Sequence, residues 1–164
     1  MSNQKSTTRQ PRVAIIGAGM SGILTAIKFK AVGITDFTIY EKADRLGGTW
    51  RDNTYPGLSC DVPSHMYRYS FEPNSEWSHR FAPGAEILAY FETVAKKYDV
   101  EHSIKYNQEI TEACYQDGNW HLKCGEHELD IVDIIISATG VLHHPVYPKS
   151  VSYTHLTLPT ILLV

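Results

Sequence analysis

Residues 12–33, RVAIIGAGMSGILTAIKFKAVG, constrain the fold more than any other stretch. A short apolar run ends in glycine, as a buried parallel strand does. Ile23, Ala26, Ile27 and Ala31 then recur at helical spacing, and Gly33 marks the stop. Between strand and helix, Gly17, Gly19 and Gly22 form G-x-G-x-x-G. The first glycine permits a tight turn, the second lets backbone approach a pyrophosphate, and the third lets helix and strand pack closely. The helix start offers unpaired N–H groups and a partial positive charge to phosphates. Ala18 and Ser21 lie inside the same cradle.

The remaining pattern agrees with a layered α/β chain. FTIYE (37–41) reads as a second strand, and residues 42–83 as a long loop rich in Gly, Pro, Ser, Asn and aromatics, a length that is usually functional. GAEILAYFETVAKKYD (84–99) places Ile87, Leu88, Phe91, Val94, Ala95 and Tyr98 on one helical face. SIKYN, ITEACYQ and WHLKC, the last two separated by DGN, predict a small antiparallel meander. DIVDIIISATG (130–140) reads as one more buried strand. The predicted fold is a Rossmann-like dinucleotide-binding domain with a parallel sheet and a small antiparallel β-meander.

Glu41 ends the second strand, about 20 residues past the glycine motif, where a carboxylate accepts ribose hydroxyls. It would repel a ribose 2′-phosphate, so the motif favours FAD or NAD over NADP at this site. A net charge of −3 offers no general attraction to nucleic acid or anionic membrane. No apolar run is long enough to span a bilayer, and the polar first residues lack a signal-peptide core, so a cytoplasmic location is expected. Cys60, Cys114 and Cys124 form no C-x-x-C pair, and the eight histidines are scattered, so neither a dithiol centre nor a metal site is predicted.

EKADRLGGTW (41–50) and YPGLSCDVPSHMYRYSFEPNSEWSHRF (55–81) carry a more specific signal. With SATG at 137–140, they resemble the FAD-binding half of class B flavin monooxygenases, and within them the Baeyer–Villiger type. The resemblance covers about residues 12–149. It implies that Gly17, Gly19 and Gly22 hold the FAD pyrophosphate and Glu41 the adenosine ribose. Gly48, Thr49 and Trp50 would lie along the cofactor, Tyr67 beside it, Ile110 against the adenine, and Gly140 at the strand end near the flavin. Asp61 matches an active-site aspartate near the flavin in the family and is the candidate catalytic residue as well as a candidate cofactor contact, placed to orient a cationic side chain. The implied chemistry is reduction of FAD by NADPH, addition of dioxygen to give a flavin C4a-peroxide, and insertion of oxygen into a ketone to give an ester or lactone. Its partners would be a small ketone or other organic substrate and dioxygen. Oxygenation of nitrogen or sulfur is the sister reaction, and a non-catalytic dinucleotide-binding module is the alternative of another class.

The 164 residues contain no second glycine motif for NADPH and no F-x-G-x-x-x-H-x-x-x-W fingerprint. The family pattern stops near residue 150. VSYTHLTLPT (151–160) resembles a translated sequencing-library adapter. The expectation is therefore a flexible leader at 1–11, a partial FAD-binding domain at 12–150, and a non-native tail at 151–164. A truncated domain of this kind is expected to be inactive by itself.

Overall fold

The computed structural model describes residues 9–141; the expectations for residues 1–8, 142–150 and the tail at 151–164 lie outside the described residues. Among the described residues the central sheet holds four parallel strands, in the order β3 (Ile104–Lys105), β2 (Phe37–Tyr40), β1 (Val13–Ile16), β7 (Ile134–Ser137). Strand β1 (Val13–Ile16) lies inside, pairing with β2 (Phe37–Tyr40) on one side and β7 (Ile134–Ser137) on the other. Val13, Ala14 and Ile15 are almost wholly buried, as expected for a strand covered on both faces.

Helix α1 (Met20–Ala31) connects β1 to β2 and buries Gly22, Ile23, Ala26 and Ile27 against the sheet. Ala31, read as part of that apolar face, is exposed at the helix end. Helix α3 (Gly84–Lys97) buries Ile87, Tyr90, Phe91, Val94 and Ala95. The segment between β2 and α3 contains a single helical turn, α2 (Thr49–Asp52), and contributes Leu46, Cys60, Tyr69, Trp77 and Ala82 to the same core. Aromatic packing orders this loop: Tyr69 stacks on Phe71 at 5.3 Å, and the Tyr69 phenol donates to the Met20 carbonyl at 2.6 Å.

Two expectations are corrected. SIKYN does not join the meander. Ile104–Lys105 form β3, parallel to β2 at the edge of the central sheet. The meander instead comprises β4 (Glu112–Gln116), β5 (Asn119–Cys124) and β6 (His127–Val132). Its third strand comes from the run read as one strand at 130–140, which is divided at Asp133 between β6 and β7. The division has a local cause. The Asp133 carboxylate accepts the Arg12 N–H at 2.7 Å, and the Asp133 and Ile134 N–H groups both donate to the Arg12 carbonyl. The chain therefore leaves the meander and enters the parallel sheet at this residue. Strand β7 is also less buried than its composition suggests, with Ile134 44% exposed at the sheet edge.

The β4–β5 hairpin turns through Asp117 and Gly118, both at positive φ, the pairing that matches strand twist in a two-residue turn. A second small core of Ala14, Tyr40, Leu122 and Val132 joins meander to sheet. At its rim Asp130 accepts from Arg12 Nη2 at 2.8 Å, from Arg12 Nε at 3.2 Å, and from the Tyr40 phenol. Arg9 pairs with Asp133 at 2.8 Å, and Gln10 Nε2 donates to the Gly33 carbonyl at 2.9 Å. Both lie within the stretch expected to be a leader.

Candidate functional site

A cavity of about 460 Å³ opens at the carboxyl ends of β1, β2 and β7, where open parallel sheets bind their ligands. Its wall is built from the loop after β1, the end of β2, the turn before α2, residues 108–110, and residues 138–141 after β7.

The three motif glycines have separate tasks. Gly17 adopts φ +104, and a side-chain carbon there would stand 2.6 Å from the Ala138 carbonyl oxygen. A Cβ on Gly22 would stand 1.9 Å from the Gly17 carbonyl oxygen. Both are glycines because backbone packs against them. Gly19 differs: its φ of −79 suits any residue, and the nearest atom to a Cβ is Gly48 Cα at 3.8 Å. The space beside Gly19 belongs to the cavity, so its missing side chain leaves room for a ligand. Helix α1 starts there with no side-chain cap and no acidic residue in its first turn. Its N–H groups and positive dipole end are thus free to receive an anion. Uncapped donors, bare backbone and a cavity beside them fit a pyrophosphate.

Gly47 and Gly48 make the second approach. Gly47 sits at φ +123, donates from N–H to the Ala18 carbonyl at 3.0 Å, and has no room for a side chain against Leu88 and Arg51. The pair carries the chain past the first glycine loop into α2, which brings Thr49 and Trp50 to the cavity wall. Trp50 Nε1 donates to the Tyr67 hydroxyl at 3.1 Å, and the two rings meet edge-on at 5.6 Å. Burial pushes the Tyr67 phenol above its ordinary pKa, with Cys60 and Asp61 adding to the effect.

Glu41 is 4% exposed and lines the cavity. Its carboxylate accepts from Ala18 N at 2.8 Å and from Ala43 N at 3.0 Å, and it pairs with Arg51 Nη1 at 3.2 Å. Its own carbonyl accepts the Gln108 N–H at 2.9 Å, which holds residues 108–110 beside it.

The structure brings Gly17, Gly19, Ser21, Glu41, Gly48, Thr49, Trp50, Tyr67, Ile110 and Gly140 to the cavity wall. Ala18 and Gly22 are buried beneath it, where Ala18 N–H serves Glu41 and Gly22 lets α1 approach the loop. Asp61 is exposed and outside the wall, close enough to influence Tyr67. Sequence reasoning missed Arg51, which is 7% exposed. An arginine in a polar loop reads as solvated, because unpaired arginine is almost never fully buried. The only available signal was its place directly after GGTW. Among the described residues, no group of three or more His, Cys, Asp or Glu side chains could hold a metal ion, and no helix is long and apolar enough to cross a membrane.

Residues 15–82 match the family model of the NAD(P)-binding Rossmann-like domain. The chain is 51% identical over 142 residues to an uncharacterized monooxygenase of Mycobacterium tuberculosis, covering 87% of this chain and 29% of that protein. It is 38% identical over 150 residues to a Baeyer–Villiger monooxygenase of Streptomyces coelicolor, covering 90% of this chain and again 29% of the relative. Among solved structures, OTEMO in complex with FAD and NADP superposes with a TM-score of 0.79 at 31% identity, covering 88% of this chain and 29% of that one. The chain thus spans under a third of the length of the proteins it matches. The chain is thus homologous to the N-terminal part of flavin monooxygenases of the Baeyer–Villiger type.

Proposed function

We propose that this chain is the FAD-binding part of an NADPH-dependent flavin monooxygenase that inserts an oxygen atom into ketones, giving esters or lactones. The observation that carries the reading is convergence. The β1–α1 loop, the end of β2 and the Gly47–Gly48 turn come from separate stretches and form one wall, in a chain 38% identical to a Baeyer–Villiger monooxygenase.

Bound FAD would supply the reductive activation of dioxygen, chemistry no amino-acid side chain provides. The chain's own residues bind, orient and shield. Gly19 and the first turn of α1 hold the pyrophosphate with backbone N–H groups, while Glu41 accepts the adenosine ribose. Residues 108–110, with Ile110 at the wall, receive the adenine. Gly48 and Thr49 follow the cofactor towards the flavin, where Trp50 and Tyr67 form an apolar wall that excludes water. Gly140 leaves the end of β7 bare on the same side. Asp61 acts from outside this wall as a positioning residue, orienting a cationic side chain supplied by the rest of the enzyme. NADPH and the ketone are likewise received by parts of the protein beyond these residues.

Flavin content and product identity test the reading. The full-length protein should purify with FAD and convert a cyclic ketone to its lactone at the expense of NADPH and dioxygen. Oxidation of thioethers or amines with no lactone would reassign the reaction to heteroatom oxygenation. Absence of bound flavin, with NADH-dependent reduction of a carbonyl instead, would remove it from this class.

A further inference from the structure

Arg51 is the least expected feature of the cavity. Its side chain is only 5% exposed, and it lines the cavity from the turn of α2. Four of its five guanidinium N–H groups are engaged. Nε and Nη2 reach the two Asp52 carboxylate oxygens at 2.7 and 3.0 Å, a two-point fork. Nη1 donates to the Arg45 carbonyl at 2.6 Å and meets Glu41 Oε1 at 3.2 Å. Burial alone would make this charge costly, yet its carboxylate partners more than offset that and hold its pKa above the ordinary value.

Glu41 has complementary accounting. An ionised carboxylate offers about four acceptor positions. Ala18 N, Ala43 N and Arg51 take three of them, two on Oε1 and one on Oε2. Among the described residues, no further donor reaches this side chain, which lines the cavity. Arg51 thus spends two of its N–H groups on Asp52, one on Arg45 and one on Glu41, while Glu41 keeps one acceptor position.

We infer that Arg51 is the positioning residue of the ribose site: it fixes the orientation of the buried Glu41 carboxylate and leaves one acceptor for a ribose hydroxyl of the adenine dinucleotide. The inference rests on the reading of the cavity as the FAD site and goes beyond it by assigning the residue that makes Glu41 selective. Arg51 works through Glu41, and Asp52 and the Arg45 carbonyl hold it at the required angle. Residues on both sides of the Gly47–Gly48 turn thus anchor the carboxylate on β2, so one motif shapes both the flavin approach and the ribose contact.

The test reads ribose selectivity, which a merely structural role would leave alone. ADP, 2′-deoxy-ADP and 3′-deoxy-ADP are titrated into the full chain freed of flavin. The unmodified chain should bind ADP about tenfold or more tighter than at least one deoxy analogue, the scale of a hydrogen bond to a charged acceptor. Arg51→Met should bring that ratio close to one. Arg51→Lys, which keeps the charge and loses the fork, should reduce it at least threefold and carries the test if Arg51→Met does not fold. Combining Arg51→Met with Glu41→Gln should lower the ratio no further than Glu41→Gln alone. An unchanged ratio in the Arg51 variants, with Glu41→Gln still lowering it, would overturn the role of Arg51 while leaving the ribose site intact. No discrimination by the unmodified chain, and no effect of Glu41→Gln, would overturn the ribose reading itself.

Discussion

Gly48 lies against Gly19, so close that a side-chain carbon built on Gly48 would meet Gly19 Cα at 3.2 Å. Two glycine loops, one from the β1–α1 junction and one from the turn before α2, pack backbone to backbone. Gly48, at φ +53, is the member of the pair that a Cβ would displace, because its neighbour at 3.2 Å is backbone.

Gly22 is expected to be the least replaceable of these glycines for folding. Its Cβ position is 1.9 Å from the Gly17 carbonyl oxygen, and Gly17 N–H is itself bonded to the Tyr40 carbonyl at 2.8 Å. The loop cannot retreat without breaking its tie to β2. Gly22→Ala should cost about 3 kcal/mol of stability, near the upper range for overpacking. Urea unfolding with an unchanged m-value is the measurement, and a midpoint like that of the unmodified protein would refute the clash.

Gly19 should show the opposite separation. Its backbone is relaxed and its neighbour is 3.8 Å away, so folding should survive a side chain there. Gly19→Val should give a protein with near-normal thermal unfolding that purifies without flavin, read from the visible absorption spectrum. A variant with full flavin content would show that the pyrophosphate lies elsewhere.

Asp130 should make stability depend on acid pH. Burial pushes its carboxyl up, but hydrogen bonds from Arg12 and Tyr40 outweigh this and hold it below the ordinary value. A carboxyl with a lowered folded-state pKa contributes stability above its unfolded pKa, near 4, and loses it as pH falls through the folded value. Asp130→Asn should therefore cost about 2 kcal/mol at pH 7. The gap to the unmodified protein should close as pH drops below about 4. An equal gap at pH 7 and pH 3, measured by chemical unfolding, would show that the pairing is not electrostatic.

Asp61 should matter for turnover and not for cofactor retention. It is exposed and outside the cavity wall. Asp61→Ala in the full-length enzyme should lower ketone turnover by about 10–1000-fold, as for a lost electrostatic contact, with FAD content unchanged. Unaltered lactone formation would end its assignment as a positioning residue.

The parts of this architecture legible in the sequence are those set by local chemistry. The β1–α1 unit follows from an unbroken apolar run, from apolar residues at helical spacing after it, and from three glycines whose spacing has a mechanical meaning. Helix α3 follows from its apolar face, and the β4–β5 hairpin from DGN. Strand β3 was misassigned because two residues carry no periodicity, and parallel pairing with β2 is a tertiary choice. The division at Asp133 was hidden for a similar reason. A run of β-branched residues is equally suited to one long strand or two short ones, and the bonds that break it come from Arg12, far away in sequence. Glu41 was visible because its position has a stereotyped relation to the glycine motif. Arg51 was not, since burial of a charge depends on partners that only the folded chain assembles.

The pairing of β1 with β7 also sets an order of events during synthesis. Val13 pairs with Ile134, and the Gly17 turn is packed by Ala138, so this side of the cavity is made from opposite ends of the domain. While a ribosome is still producing the meander, β1 can pair only with β2, and its other edge stays open. Non-local closure of this kind is slow and leaves strand edges exposed in the meantime. The cavity wall around Gly17 is therefore incomplete until β7 has emerged, and a ligand that needs this wall finds it only once the domain is complete.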